Sequence, residues 1–117
     1  MRRPPSIDAY GGGGFRVSGD WRPGSLLIVD DVPSDWTVTD FEALTVDDFA
    51  PILAAGAAVE FVLLGTGLVQ SLPPRAVRDL LKAAGVGLEF MSTEAAARTY
   101  NIVASDGRRV AAALIAV

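Results

Sequence analysis

The segment of residues 59–90 constrains the fold more than any other part of the sequence. Residues 59–64 carry one charge among five apolar side chains, which is typical of a strand buried on both faces. A second predicted strand, residues 86–90, follows a stretch with the periodicity of an amphipathic helix. The apolar positions of that stretch are Val77, Leu80, Leu81 and Ala84. The sequence therefore predicts a parallel βαβ unit over residues 59–90, with a right-handed crossover.

Further strands and helices are expected on both sides of this unit. The predicted strands are residues 7–9, 15–17, 25–29, 36–38 and 109–115. The second and third of these are expected to pair antiparallel across a turn that contains Asp20, Pro23 and Gly24. Residues 1–14 contain prolines and four consecutive glycines, which predict a partly irregular amino-terminal arm with a hairpin turn or bulge at the glycines.

Two more helices are indicated by their capping residues. Thr45 and Asp48 have the spacing of a capping box, and Pro51 favours either a start nearer Asp48 or a kink. A later helix is expected to begin at Ser92 or Thr93 and to end before residues 106–107. Together the elements predict a single compact α/β domain over residues 1–117.

The composition bounds the partners and the compartment. The chain has no cysteine, so its stability must come from packing and not from disulfides. Its net charge is −4, and its basic residues adjoin one another only at residues 2–3 and 108–109, which disfavours nucleic acid as a partner. No apolar run approaches the roughly 20 residues that a membrane-spanning helix needs, and residues 1–14 do not resemble a signal peptide. We expect a soluble, cytoplasmic protein.

Several chemistries are excluded by missing side chains. Without histidine or cysteine the chain cannot build a serine–histidine or cysteine–histidine catalytic centre, nor a cysteine/histidine zinc site. Lys82 could act as a base only if desolvated, and it falls on the polar face of its helix. The acidic pairs at residues 30–31 and 47–48 could be metal ligands, but turn and cap positions explain them better. We therefore expect no metal and no cofactor, and binding is favoured over catalysis.

The glycines around Thr66 mark the most informative candidate site. Gly65, Thr66 and Gly67 follow a predicted parallel strand, at the end of the sheet where open α/β folds bind ligands. The dinucleotide fingerprint is absent because its third glycine position is Gln70. A tight strand exit that needs positive φ is the favoured interpretation, and a ligand or partner contact is the alternative. Three further polar candidates are Thr93, Asn101 and Arg108, although capping and surface positions explain them without a function.

An ordered set of short motifs covers nearly the whole chain. The motifs are residues 7–10, 14–15, 24–27, Trp36, residues 65–67, 93–96, 99–101 and 108–115. In their order and spacing they resemble the family of domain of unknown function 498, which has the MTH-938-like fold and includes the mitochondrial respiratory complex I assembly factor 3. The resemblance implies a central mixed sheet with helices packed on it and a small additional β-layer from the amino-terminal strands.

The resemblance also implies something about function. The family has no established enzyme activity, and the pocket suspected in it corresponds here to Gly65, Thr66, Gly67 and Arg108. Family members often have a glutamate shortly before that arginine, whereas this chain has Asp106 followed by Gly107, which weakens any acid/base role there.

Three functional hypotheses follow from these observations. The first is a non-catalytic binding or scaffold protein with a protein partner, linked to respiratory complex I or to membrane assembly. The second is a protein or enzyme that binds an anionic small molecule in a pocket near Thr66 and Arg108, where arginine would pair with the anion. The third is self-association through the alanine-rich residues 110–117, which could leave an apolar edge that needs cover.

Overall fold

The computed structural model describes residues 2–117, in which strands occupy the amino-terminal third and helices alternate with strands thereafter. The strands are β1 (Ile7–Gly11), β2 (Gly14–Val17), β3 (Asp20–Pro23), β4 (Ser25–Val29), β5 (Val32–Trp36), β6 (Phe61–Gly65), β7 (Gly87–Met91) and β8 (Val110–Leu114). The α-helices are α1 (Ala50–Ala54), α2 (Arg75–Ala83) and α3 (Thr93–Ser105). Short 3-10 helices at Phe41–Ala43, Val46–Phe49 and Gly56–Ala58 surround α1.

A five-stranded mixed sheet forms the centre of the molecule, in the order β5-β4-β8-β6-β7. β6 runs parallel to both β7 and β8, whereas β4 is antiparallel to β5 and to β8. The parallel βαβ unit predicted over residues 59–90 is confirmed as β6, α2 and β7. The predicted mixed sheet is confirmed as well.

The central strand β8 is built from small side chains. Ala111, Ala112 and Ala113 are fully buried, because successive residues of a strand point to opposite faces and both faces of this sheet are covered. Ala111 and Ala113 join one hydrophobic core with Val77 and Leu81 of α2. Ala112 joins the core on the opposite face. The sheet therefore separates two cores, and its middle strand contributes little bulk to either.

The second core is closed by α3 and by the three amino-terminal strands. β1, β2 and β3 form a separate antiparallel sheet, in that order. Phe15 and Val17 of β2 are buried in the second core together with Tyr100 of α3 and Ile28 of β4. This sheet is the predicted additional β-layer, which is thereby confirmed.

The strand pairing expected near the amino terminus is wrong. β2 pairs with β1 and β3, and it does not pair with β4. The residues expected to form a turn, 20–24, instead include the edge strand β3, and the chain reverses at Ser18 and Gly19, which both have positive φ. A proline is tolerated in β3 because an edge strand has one unpaired side.

The strand expected at residues 36–38 is also misplaced. β5 begins at Val32 and ends at Trp36, whose indole Nε1 donates to the carbonyl oxygen of Asp48 at 3.0 Å. Asp30 and Asp31 both have positive φ and form the two-residue turn of the hairpin that connects β4 to β5. The turn interpretation of this acidic pair is therefore confirmed.

The predicted helix starts agree well with the structure. The Asp48 carboxylate accepts hydrogen bonds from the backbone N–H and the hydroxyl of Thr45, at 2.8 and 3.1 Å, and α1 begins just after it. Ser92 caps α3 by accepting from the N–H of Ala95. The strand expected at residues 7–9 extends to Gly11, and the hairpin turn at the glycines is confirmed. Met1 of the predicted arm lies outside the described residues.

Candidate functional site

The exit of β6 is shaped by two glycines with different physical roles. A Cβ on Gly65 would come within 2.9 Å of both the Thr93 hydroxyl oxygen and Cδ2 of Leu114, so only glycine fits there. Gly67 has a φ of +105°, a conformation that L side chains rarely adopt. The expected positive φ therefore occurs at Gly67, while Gly65 is required by close approach.

The Thr93 hydroxyl lies fully buried beneath this exit. It donates to the carbonyl oxygen of Ile115 at 2.7 Å and accepts from the N–H of Gly67 at 3.0 Å. The backbone N–H of Thr93 returns a bond to the carbonyl oxygen of Gly67 at 2.9 Å. Thr93 thereby ties the first turn of α3 and the end of β8 to the loop that follows β6.

Thr66 fixes the loop from the inside. Its hydroxyl oxygen lies 2.6 Å from the carbonyl oxygen of Val69 and 3.1 Å from that of Met91, and it accepts from the N–H of Ser71 at 3.1 Å. Its backbone N–H also donates to the Met91 carbonyl, at 2.9 Å. Because Thr66 is itself buried, these bonds are shielded from competing water. Thr66 therefore ties residues 69 and 71 of the loop to each other and to the end of β7.

This ordered loop presents aliphatic side chains to solvent. Leu68, Val69 and Leu72 are 85%, 67% and 60% exposed, and we call these three side chains the apolar tip. Single exposed apolar residues are ordinary, whereas a group on one rigid loop is typical of an interaction site. The sequence interpretation missed the tip. The sequence signal that could have revealed it is the group of three aliphatic residues between the β6 exit and the apolar stripe of α2.

Basic side chains follow the apolar tip along α2. The helix carries Arg75, Arg78 and Lys82 against one carboxylate, Asp79, in a chain whose net charge is −4. Arg75 and Asp79 are 3.5 Å apart, and Nε of Arg78 donates to the carbonyl oxygen of Pro73 at 3.1 Å. Lys82 is exposed, as its position on the polar face of the helix predicts. α2 itself therefore carries more basic than acidic side chains.

Asn101 lies elsewhere and holds the amino-terminal strand. Its side-chain oxygen accepts from the N–H of Ile7 at 2.8 Å, and its amide nitrogen donates to the Ile7 carbonyl at 2.9 Å. Both hydrogen-bonding groups of one β1 residue are thereby satisfied by one side chain of α3. In this structure Asn101 joins two elements and does not approach the β6 exit.

Arg108 lies at the other end of the sheet from Thr66. It precedes β8, which runs parallel to β6 and pairs its first residue, Val110, with Phe61 at the start of β6. The Arg108 guanidinium packs 4.6 Å from the centroid of the Phe61 ring and pairs with Glu60 at 3.2 Å. The expectation of one pocket near both Thr66 and Arg108 is therefore wrong, because the length of β6 separates them.

Cavities and acidic clusters are not found in the part of the chain that the structure describes. Within residues 2–117 there is no enclosed cavity and no group of three or more acidic side chains placed to share a metal ion. Asp31 pairs with Arg2 at 2.8 Å, and the bond with Asp31 raises the pKa of Arg2. None of the helices in this part of the chain is both long and apolar enough to cross a membrane.

The chain is a small α/β protein in which a mixed sheet lies between two hydrophobic cores. An apolar loop extends from the end of the sheet at which the parallel strands β6 and β7 finish. The family model described as Protein of unknown function (DUF498/DUF598) matches residues 7–115, and the chain belongs to this family. The family resemblance predicted from the sequence is confirmed.

Individual relatives agree with this assignment. The chain is 40% identical over 109 residues to an uncharacterized protein of Rhodobacter capsulatus, covering 93% of this chain and 82% of that protein. It is 29% identical over 110 residues to NADH dehydrogenase [ubiquinone] 1 alpha subcomplex assembly factor 3 of Bos taurus. That alignment covers 93% of this chain but only 59% of the length of the assembly factor.

A solved structure supports the fold. A Bordetella pertussis protein described as a Mth938-like domain superposes with a TM-score of 0.75 at 29% sequence identity. The match covers 98% of this chain and 90% of that one. The predicted MTH-938-like fold is thereby confirmed.

We predict that Thr66→Val loosens the loop without unfolding the protein. Valine keeps the shape of threonine but removes the hydroxyl, so the Ser71 N–H loses its acceptor and the Val69 carbonyl its donor. The free energy of unfolding should fall by about 1–3 kcal/mol, measured by urea denaturation. Hydrogen exchange of the Ser71 amide should accelerate. Thr37→Val, at an exposed threonine, is the control and should change neither quantity; equal effects of the two variants would contradict the role of Thr66.

We predict that Asn101→Ala destabilises the contact between β1 and α3. The N–H and carbonyl of Ile7 would lose their partners, which should cost about 1–3 kcal/mol of unfolding free energy. Exchange of the Ile7 amide, followed by NMR, should accelerate more than exchange within β6. Ser105→Ala, at an exposed position of the same helix, should leave both unchanged. An Asn101→Ala protein as stable as the original would show that this side chain does not hold β1.

Proposed function

We propose that this chain is a non-catalytic binding protein that docks a protein partner through the apolar tip, Leu68, Val69 and Leu72, during assembly of a respiratory complex. The observation that carries the proposal is the combination of exposed aliphatic side chains with a loop fixed by the buried hydroxyls of Thr66 and Thr93. A partner of this kind would be a respiratory-complex or membrane-assembly protein. We also propose that the chain acts in the cytoplasm.

The energetics of the tip favour a binding role. Burying a leucine or valine side chain contributes about 1.5–3 kcal/mol each, which is available to a partner because the three side chains remain in water in this chain. Association also costs free energy when loops must be ordered. The hydrogen bonds of Thr66 and Thr93 have already ordered this loop, so more of the burial energy is left for binding.

The basic surface of α2 indicates the character of the partner. Arg75, Arg78 and Lys82 lie on the helix that follows the tip, so a matching surface would have an apolar groove with acidic side chains at its rim. Complementary charge of this kind steers association and fixes the orientation of the complex more than it raises the affinity.

The hydroxyls of the β6 exit give little support to catalysis. A threonine nucleophile needs a base within hydrogen-bond reach. Thr66 and Thr93 contact backbone carbonyl oxygens and N–H groups, and neither is bonded to a titratable side chain among the described residues. Their chemistry is that of structural hydrogen bonding.

The relatives support an assembly role. The Bos taurus relative is named as an assembly factor for NADH dehydrogenase, and its alignment spans residues that include the β6 exit and α3, since it covers 93% of this chain. Because this chain matches only 59% of that factor, the complex I connection is part of the proposal.

We predict that the double variant Leu68→Ser, Val69→Ser loses its partner while remaining folded. Affinity capture from the native organism, followed by quantitative mass spectrometry, should recover a respiratory-complex or membrane-assembly subunit with the original chain. Recovery should fall at least about tenfold with the variant, since two buried aliphatic side chains are worth more than 1.4 kcal/mol.

The matched control is Val32→Ser, Ile102→Ser, which removes two aliphatic side chains that are each 62% exposed but lie away from the loop. This control should capture the same subunit as the original chain. Equal recovery with both double variants would contradict the assignment of the tip, and recovery of no respiratory or membrane-assembly subunit would contradict the assembly role.

A further inference from the structure

The outer edge of β7 is a second surface, separate from the apolar tip. β7 is the last strand of the central sheet, and within the described residues it pairs with β6 alone. Gly87 donates to the Glu60 carbonyl at 3.1 Å, and the Met91 carbonyl accepts from Thr66. Because alternate residues of a parallel ladder bond to the same neighbour, the N–H and carbonyl groups of Leu88 and Phe90 point away from the sheet.

The other edge strands each carry a feature that opposes further pairing. β5 contains Pro33 and β3 contains Pro23, and a proline offers no N–H to an added strand. β1 has an irregular register between Ile7 and Ala9. β7 has no proline, and its register with β6 is continuous over all five residues. It is therefore the edge best able to accept another strand.

The side chains of β7 select what that strand can be. Leu88 and Phe90 pack partly buried against the core beside α2, whereas Glu89 is exposed on the other face of the strand. A second copy added antiparallel in the register that pairs all of β7 would place Glu89 opposite Glu89. Like charges directly opposite each other in a sheet are destabilising. The edge therefore disfavours its own copy and favours a cation at that position.

We propose that the free edge of β7 binds an extended segment of another protein in which a lysine or arginine lies between two apolar residues. The added strand would take its main-chain hydrogen bonds from Leu88 and Phe90, place its cation opposite Glu89, and lay its apolar residues beside Leu88 and Phe90. This inference does not depend on the proposed assembly function, because none of the three side chains of the apolar tip takes part.

Two matched peptides test the inference. They are the capped heptapeptides Thr-Thr-Val-Lys-Val-Thr-Thr and Thr-Thr-Val-Glu-Val-Thr-Thr, titrated into the isotope-labelled chain and followed by NMR. The lysine peptide should slow hydrogen exchange of the Leu88 and Phe90 amides and should bind about fivefold more tightly than the glutamate peptide, since one cross-strand charge pair changes from repulsive to attractive. The variant Glu89→Lys, at an exposed residue, should reverse that preference.

Four outcomes would overturn the inference. The first is no change in β7 amides with either peptide at millimolar concentration, and the second is equal protection of β5. The third is a charge preference that Glu89→Lys leaves unaltered. The fourth is protection of β7 by self-association of the chain without peptide, seen as a concentration-dependent mass in sedimentation. The variant Leu68→Ser, Val69→Ser should bind the lysine peptide like the original chain, which separates failure of this edge from failure of the apolar tip.

Discussion

The buried hydroxyl of Thr93 is the interaction on which the geometry of the β6 exit depends. It reaches the end of β8 through Ile115 and the loop through Gly67, and it belongs to the first turn of α3. Gly65 leaves the space that this hydroxyl occupies, since a Cβ there would lie 2.9 Å from it. The Thr93 hydroxyl oxygen therefore connects α3 both to the loop after β6 and to the end of β8. These two hydrogen bonds fix the direction in which the loop leaves the sheet.

The apolar tip follows from this arrangement, whereas the free edge of β7 follows from the order of the strands. The loop extends the tip into solvent, and Thr66 hydrogen-bonds Met91 and so ties the loop to the carboxyl end of β7. The tip supplies apolar area and the edge supplies unpaired backbone groups, which are different kinds of recognition. A binding protein with two such surfaces can hold one partner, or join two.

The parts of the fold that were predictable are those with local signals. The βαβ unit over residues 59–90 was predictable because a nearly continuous apolar run, a helical stripe bounded by prolines and a glycine, and a second strand follow one another. The pairing of β2 was not predictable, because Phe15 and Val17 fill the same core as Leu26 and Ile28 of β4. Apolar side chains alone do not tell whether two such strands pair edge to edge or pack face to face. β3 has the composition of a turn, with Asp20 and Pro23, because edge strands tolerate polar residues and proline.

The candidate site was predictable to a similar extent. The position of Thr66 at the end of a parallel strand was predicted, whereas the contact between Thr93 and the same loop, through the N–H of Gly67, was not. Arg108 was expected there because of the family resemblance. β8 runs parallel to β6, so a residue that precedes β8 lies at the opposite end of the sheet from Thr66. The apolar tip was missed because an aliphatic loop residue has no periodicity to reveal it.

Site-specific photo-crosslinking in the native organism would show whether the apolar tip contacts a partner protein. A benzophenone amino acid would replace Val69 in one strain and the comparably exposed Val32 in another. We expect a crosslinked respiratory-complex or membrane-assembly subunit from position 69 and none from position 32. The docking role of the tip would be wrong if position 69 gave no crosslink, or if both positions gave the same products.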